Sequence, residues 1–186
     1  MREARGKTKS SLDFRLMSLT YKFRDFLLPP MSILKEVGIK SGFHVLDFGC
    51  GPGSYIMPLS ELVGKSGKIY ALDIHPLAIR SVQTLASRKR LENVQTILSD
   101  CKTGLLPNSL DVVLLYDILH HLDDRDGVLT ELHIVLRPKG ILSVNDHHMK
   151  QDEIISGVTS TGLFKLSAKG KRTYSFSRNN ISLTRI

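Results

Sequence analysis

Three glycines, Gly49, Gly51 and Gly53, alternate with Cys50 and Pro52 directly behind an apolar run that ends at Phe48. Glycine has no Cβ, so such a chain turns sharply and lets a ligand come close to its backbone. One carboxylate, Asp47, precedes the loop, and a second, Asp73, ends the next apolar run 20 residues after Gly53. A carboxylate beside the loop repels a pyrophosphate and suits a ligand that carries positive charge. The position of Asp73 suits bidentate acceptance of two ribose hydroxyls, although the same residue would also serve as a helix N-cap ahead of Pro76. A dinucleotide fingerprint of the form G-x-G-x-x-G begun at Gly49 needs glycine at position 54, where this chain has Ser54. There is no G-x-x-x-x-G-K-[ST] run either, so a phosphate cradle of that type is excluded.

A second group of reactive side chains lies further along. His120-His121 and His147-His148 are two adjacent pairs, with Asp117, Asp123, Asp124 and Asp146 close to them in sequence. Imidazoles and carboxylates at converging loops can hold a divalent ion. Neighbouring side chains in a dipeptide rarely face one point, however, and no histidines recur at helical spacing, so no metal is expected. Acid–base work is the better use, because histidine titrates near neutrality. His120 is the first candidate and His147 the second. A rim histidine that only hydrogen-bonds locally is the plain alternative.

These residues need a scaffold. Runs at His44–Phe48, Ile69–Asp73, Val94–Leu98, Asp111–Tyr116 and Gly140–Asp146 read as strands, bounded by Gly, Pro, Asn or Asp. Between them Tyr55–Val63, Leu77–Arg90 and Arg125–Leu136 read as helices, with Pro76 in a first turn and Gly64 and Gly140 where the chain leaves a helix. Continuous apolar strands alternating with helices predict a doubly wound, mostly parallel sheet covered on both faces. After His148 the pattern changes to a short helix over Gln151–Thr161 and a hairpin of Leu163–Ser167 with Arg172–Ser177. Residues 1–40 read as a helical attachment, with amphipathic stretches at Leu12–Phe26 and Met31–Val37 separated by Pro29-Pro30. In that attachment Tyr21, Phe23 and Phe26 would be lid residues or, at helical spacing, a core face. Residues 41–186 form the main domain.

The 186 residues fit one domain of ordinary globular composition, 41% hydrophobic and 24% charged. No apolar run is long enough to span a bilayer, and the first residues do not resemble a secretory signal. Two cysteines make no disulfide framework, which predicts reduced thiols and a cytoplasmic setting. The net charge of +8 is concentrated at the ends: residues 1–40 hold nine Lys/Arg against four Asp/Glu, and residues 165–186 hold six Lys/Arg and no acids. Basic ends suit an anionic or nucleic-acid surface. Without interleaved aromatics they read instead as solubilising segments.

Val45-Leu-Asp-Phe-Gly-Cys-Gly-Pro-Gly53 resembles the first motif of class I S-adenosylmethionine-dependent methyltransferases, and three further elements follow in order over residues 38–148. The resemblance is to the branch acting on small molecules and quinones, and it implies the Rossmann-like fold of that family with S-adenosylmethionine as cofactor. The ammonium and sulfonium charges of that cofactor are what Asp47 would suit. On the matching positions it implies that Asp47, Gly49, Cys50, Gly51 and Gly53 form the cofactor loop. Asp73 would bind ribose, Ile74 would pack on adenine, and Asp100 would accept from the adenine amino group. Cys101 would line that pocket or fill the core, and Tyr116 and Asp117 would sit beside the methionine part. The run Leu119-His-His-Leu122 would lie beside the transferring methyl, which is where His120 would act. Nucleic-acid amino-methylating relatives carry an Asn/Asp-Pro-Pro-aromatic run after the fourth strand. Here Tyr116-Asp-Ile-Leu119 stands in that place, so a small-molecule acceptor is expected ahead of RNA or protein. A cofactor-binding scaffold without turnover is the alternative of another class.

Overall fold

The computed structural model describes residues 29–180. The expected helix over Leu12–Phe26, with Tyr21, Phe23 and Phe26, lies outside them. In chain order the elements are α1 (Pro30–Leu34), β1 (His44–Phe48), α2 (Ile56–Val63), β2 (Lys68–Asp73), α3 (Pro76–Lys89) and β3 (Val94–Leu98). Then come β4 (Leu110–Tyr116), a 3₁₀ turn (Leu119–His121), α4 (Arg125–Val135), β5 (Leu136–Asn145), α5 (Gln151–Thr159), β6 (Phe164–Lys169) and β7 (Tyr174–Arg178).

The seven strands form one sheet in the order β3-β2-β1-β4-β5-β7-β6. β1 to β5 pair in parallel, and β7 runs antiparallel to both β5 and β6. Chain progress reverses direction between β1 and β4, and the crevice at such a switch point is where doubly wound sheets bind ligands.

Alternation along each strand builds a core on either face of the sheet. Val45, Ile69, Val112 and Leu114 pack with Ile33, Leu59, Val63 and Val82 from α1, α2 and α3. Leu46, Leu72, Val113 and Val144 pack with Leu129, Leu132, Ile154 and Val158 from α4 and α5. β4, central in the sheet, is buried at every position except Asp111. That explains its unbroken apolar run. Asp111 accepts the N–H of His44 at 2.8 Å and pairs with Arg137, so its role is to fix the start of the neighbouring strands.

Most boundaries shift by one or two residues from the sequence reading, and two differ by more. α1 ends at Leu34 and gives way to turns, because Lys35 caps it and Gly38 takes φ +75°. β5 begins at Leu136 rather than Gly140. Leu110 pairs with Leu136, after which the register slips so that Val112 pairs with Ile141. Pro138 and Gly140 therefore sit inside an irregular strand start, a place where sheets tolerate both residues. Glu36, just after α1, accepts from the N–H of Arg172 and from the N–H and hydroxyl of Thr173, tying this end of the chain to the β6–β7 hairpin.

Candidate active site

The glycine loop leaves β1 and is held by the end of β2. Gly49 and Cys50 donate their N–H groups to the carbonyl of Leu72 at 2.8 and 2.9 Å. Gly51 donates to Asp73 Oδ2 at 2.8 Å, and His75 donates to Asp73 Oδ1 at 2.8 Å. All three glycines take positive φ: +80° at Gly49, +51° at Gly51 and +95° at Gly53. Their surroundings differ. A Cβ at Gly49 would stand 3.1 Å from Ile118, one at Gly53 would stand 3.1 Å from Val82, and one at Gly51 would meet nothing within 4 Å. Gly49 and Gly53 thus allow close packing, while Gly51 leaves an open face for a ligand.

That face belongs to a concavity lined by Asp47, Gly49, Cys50, Gly51, Pro52, Ser54, Tyr55 and Tyr116. Among the described residues its one charged lining residue is Asp47, a buried carboxylate at the end of β1. A carboxylate in the lining, with no Lys or Arg from the described residues, fits a cationic ligand and opposes a phosphate. Cys50 is buried, and burial first, then the charges of Asp47 and Asp73, push its thiol far up, so it fills space and does not act as a nucleophile. Burial likewise pushes the Tyr116 phenol up, opposed by a 2.9 Å hydrogen bond with Ser143 on β5. The Tyr116 ring meets Tyr55 edge to face at 5.1 Å.

Asp73 is pushed up by burial, and the N–H groups of His75 and Gly51 work against that shift. It does not cap α3. His75 does, its Nδ1 accepting the N–H of Leu77 at 3.1 Å. Ser99 donates to the carbonyl of Asp73 at 3.1 Å, which brings the end of β3 to the end of β2. Ile74 and Asp100 are exposed on this edge, whereas Cys101 is half-buried and packs against the larger core.

β4 and β5 end in register, Tyr116 opposite Asn145, and exchange partners across the gap beyond. Asp117, which follows β4 at φ +53°, accepts the N–H and Nδ1 of His147 at 3.2 and 2.7 Å. Asp146, which follows β5, accepts the N–H of His120 at 3.2 Å, its Nδ1 at 2.7 Å and the N–H of His148 at 3.1 Å. Each strand's aspartate therefore grips the histidine of the other strand's loop. The rings of His121, His120, His148 and His147 follow one another at centroid distances of 3.9, 4.5 and 3.8 Å. Burial works to raise the Asp146 carboxyl. Hydrogen bonds from the His120 ring and from the N–H groups of His148 and His120 outweigh it and hold the group below the ordinary carboxylate range.

Residues 39–178 match the methyltransferase domain family. The chain belongs to that family. The class I resemblance read from the motifs is borne out, and so is the doubly wound fold with its antiparallel end. This methyltransferase domain is 29% identical over 132 residues to a demethylmenaquinone methyltransferase of Geobacillus stearothermophilus, an alignment covering 70% of the chain and 56% of the relative. The chain thus spans little more than half the length of the curated relatives it matches. Among solved structures it resembles a SAM-dependent methyltransferase of Aquifex aeolicus, with a TM-score of 0.73, 26% identity and coverage of 83% and 91% of the two chains. The [4+2]-cyclase SpnF shares the fold at a TM-score of 0.64 with 16% identity, covering 74% of this chain and 57% of its own. One fold therefore hosts more than one reaction, and the reaction has to be read from the site.

Within the methyltransferase domain, the glycine loop, Asp47 and Tyr116 line one concavity, and Asp73 joins the loop through its hydrogen bond from Gly51. Ile118 was not singled out from sequence, and Asp146 only as one of the carboxylates beside the histidine pairs, not as a partner of His120. The parallel register of β4 and β5 makes Asp117 and Asp146 the next pair beyond Tyr116 and Asn145, and that register is the signal that reveals Asp146. No helix among the described residues is long and apolar enough to cross a membrane.

Proposed function

We propose that this domain binds S-adenosylmethionine at the glycine loop and moves its methyl group to a small-molecule acceptor of the quinone type. The observation that carries this reading is the acidic, phosphate-averse concavity at the open face of Gly51, held in place by Asp73. When bound, the cofactor supplies an electrophilic methyl on a sulfonium.

The chain's own residues bind and orient. Asp47 offsets the cationic end of the ligand, and the backbone at Gly49, Cys50, Gly51 and Gly53 lets it lie close. Asp73 keeps lone pairs on both oxygens for ribose hydroxyls, beyond those used by Gly51 and His75. Ile74, Asp100 and Cys101 flank the adenine end, and Tyr116 and Asp117 the methionine end. His120 and His147 stand on the acceptor side as proton acceptors. The demethylmenaquinone methyltransferase relative supports a quinone-type acceptor. With Cys50 and Cys101 both free thiols, we place the reaction in the cytoplasm.

Calorimetry with S-adenosylmethionine, S-adenosylhomocysteine and NAD tests the reading. Selective binding of the two adenosyl-sulfur ligands is expected. Binding of NAD alone, or of none of the three, would overturn it.

A further inference from the structure

We infer that Asp146 is a positioning residue that fixes His120 as the base of the reaction, and that the acceptor accordingly carries an ionisable O–H, as the reduced, dihydroxy form of a quinone does. This inference rests on the methyl-transfer reading above.

Two histidine–aspartate pairs stand at the carboxyl edge of the sheet, and they differ in exposure. The His147 side chain is 60% exposed, so water competes for its aspartate. The His120 side chain is 20% exposed, and Asp146 beneath it is 0% exposed. A contact to a buried carboxylate, held also by two backbone N–H groups, leaves the ring little freedom. Its ring neighbours are His121 at 3.9 Å and His148 at 4.5 Å between centroids. Because Asp146 is held in its ionised, acceptor form, the proton on the His120 ring belongs at Nδ1. Nε2 is left with the lone pair. Ile118, two residues earlier, packs on Gly49, which places this turn against the cofactor loop.

A ring so arranged takes a proton from an acceptor O–H at Nε2. The electron pair of that O–H bond stays on the acceptor as an oxyanion or enolate, which forms the new bond to the methyl carbon. The carbon–sulfur bond breaks, and its pair leaves on sulfur as a neutral thioether. The positive charge ends on the His120 ring, facing the Asp146 carboxylate, until the proton passes to solvent. An amine acceptor with a free lone pair has no need of this device.

The test pairs Asp146→Asn with His120→Asn in the full chain. Asparagine keeps the size and one acceptor oxygen but removes the charge that sets the tautomer. Long-range ¹H–¹⁵N spectra of ligand-free protein, assigned by the loss of signal in His120→Asn, are expected to show Nδ1–H for His120 and its loss in Asp146→Asn. With 1,4-naphthalenediol as acceptor, kcat is expected to fall about a hundredfold in His120→Asn and about tenfold or more in Asp146→Asn, with cofactor affinity unchanged. A His120 tautomer indifferent to Asp146→Asn, or a wild-type kcat in that variant, would overturn the inference. Failure of the wild type to bind S-adenosylmethionine would defeat the methyl-transfer reading instead, and the ligand-free spectra do not depend on it.

Discussion

Asp73 Oδ2 accepts the N–H of Gly51 at 2.8 Å, joining the end of β2 to the middle of the loop that follows β1. The residue expected to bind ribose is thus also a strut of the loop. Replacing it by alanine should lower the melting temperature without any ligand and weaken S-adenosylmethionine binding by about 1–3 kcal/mol. Unchanged melting and unchanged calorimetry together would show that neither role is real.

The glycines separate folding from binding. Gly49→Ala meets both the left-handed penalty, about 1–2 kcal/mol, and the Ile118 side chain 3.1 Å away, so it should chiefly destabilise. Gly51→Ala meets only the conformational cost, since nothing lies within 4 Å, yet its methyl stands in the proposed ligand face. Thermal unfolding beside calorimetry should show Gly51→Ala as the more stable of the two and as weakened about tenfold or more in ligand affinity. Wild-type affinity in Gly51→Ala would move the ligand off this loop.

Tyr116 and Ser143 share a buried hydrogen bond between neighbouring strands. Tyr116→Phe strands the serine hydroxyl and should cost about 1–3 kcal/mol in urea unfolding, while adding Ser143→Ala should recover part of that loss. Additive costs in the double variant would contradict the pairing.

Glu131 accepts the N–H and the hydroxyl of Thr103 at 2.8 and 2.6 Å, with Lys102 at 3.2 Å. Burial works to raise its carboxyl, but these contacts outweigh it and leave the group below its ordinary value. A folded value below the unfolded one, about 4.3, means stability that is present above that pH and lost as pH falls through the folded value. Glu131→Gln should therefore be less stable than the wild type at neutral pH, with the gap closing on acidification. Parallel curves of unfolding free energy against pH would refute the linkage.

Much of this site was legible because its parts are local. A strand, a glycine loop and a carboxylate at the next strand's end follow one another in sequence, and each element's own pattern places them. What escaped depended on contacts across the sheet. The start of β5 was hidden because Pro138 and Gly140 read as a turn, yet the pairing of Leu136 with Leu110 draws the chain into the sheet before them. Asp73 was read as a possible cap because it stands near Pro76, whereas His75 fills that place once Asp73 turns to Gly51. The grip of Asp146 on His120 joins loops 26 residues apart, and only strand register brings them together.

β7 lies between β5 and β6 although it is the last of the described strands to be synthesised. While the ribosome is still adding residues 164–178, the outer edge of β5 has its N–H and C=O groups unpaired. A nascent chain in that condition is a template for any other extended segment. The β6–β7 hairpin moves the open edge from β5 to the short, lysine-bearing β6, so truncation within β7 should leave β5 free to pair edge to edge with others of its kind, however intact the glycine loop.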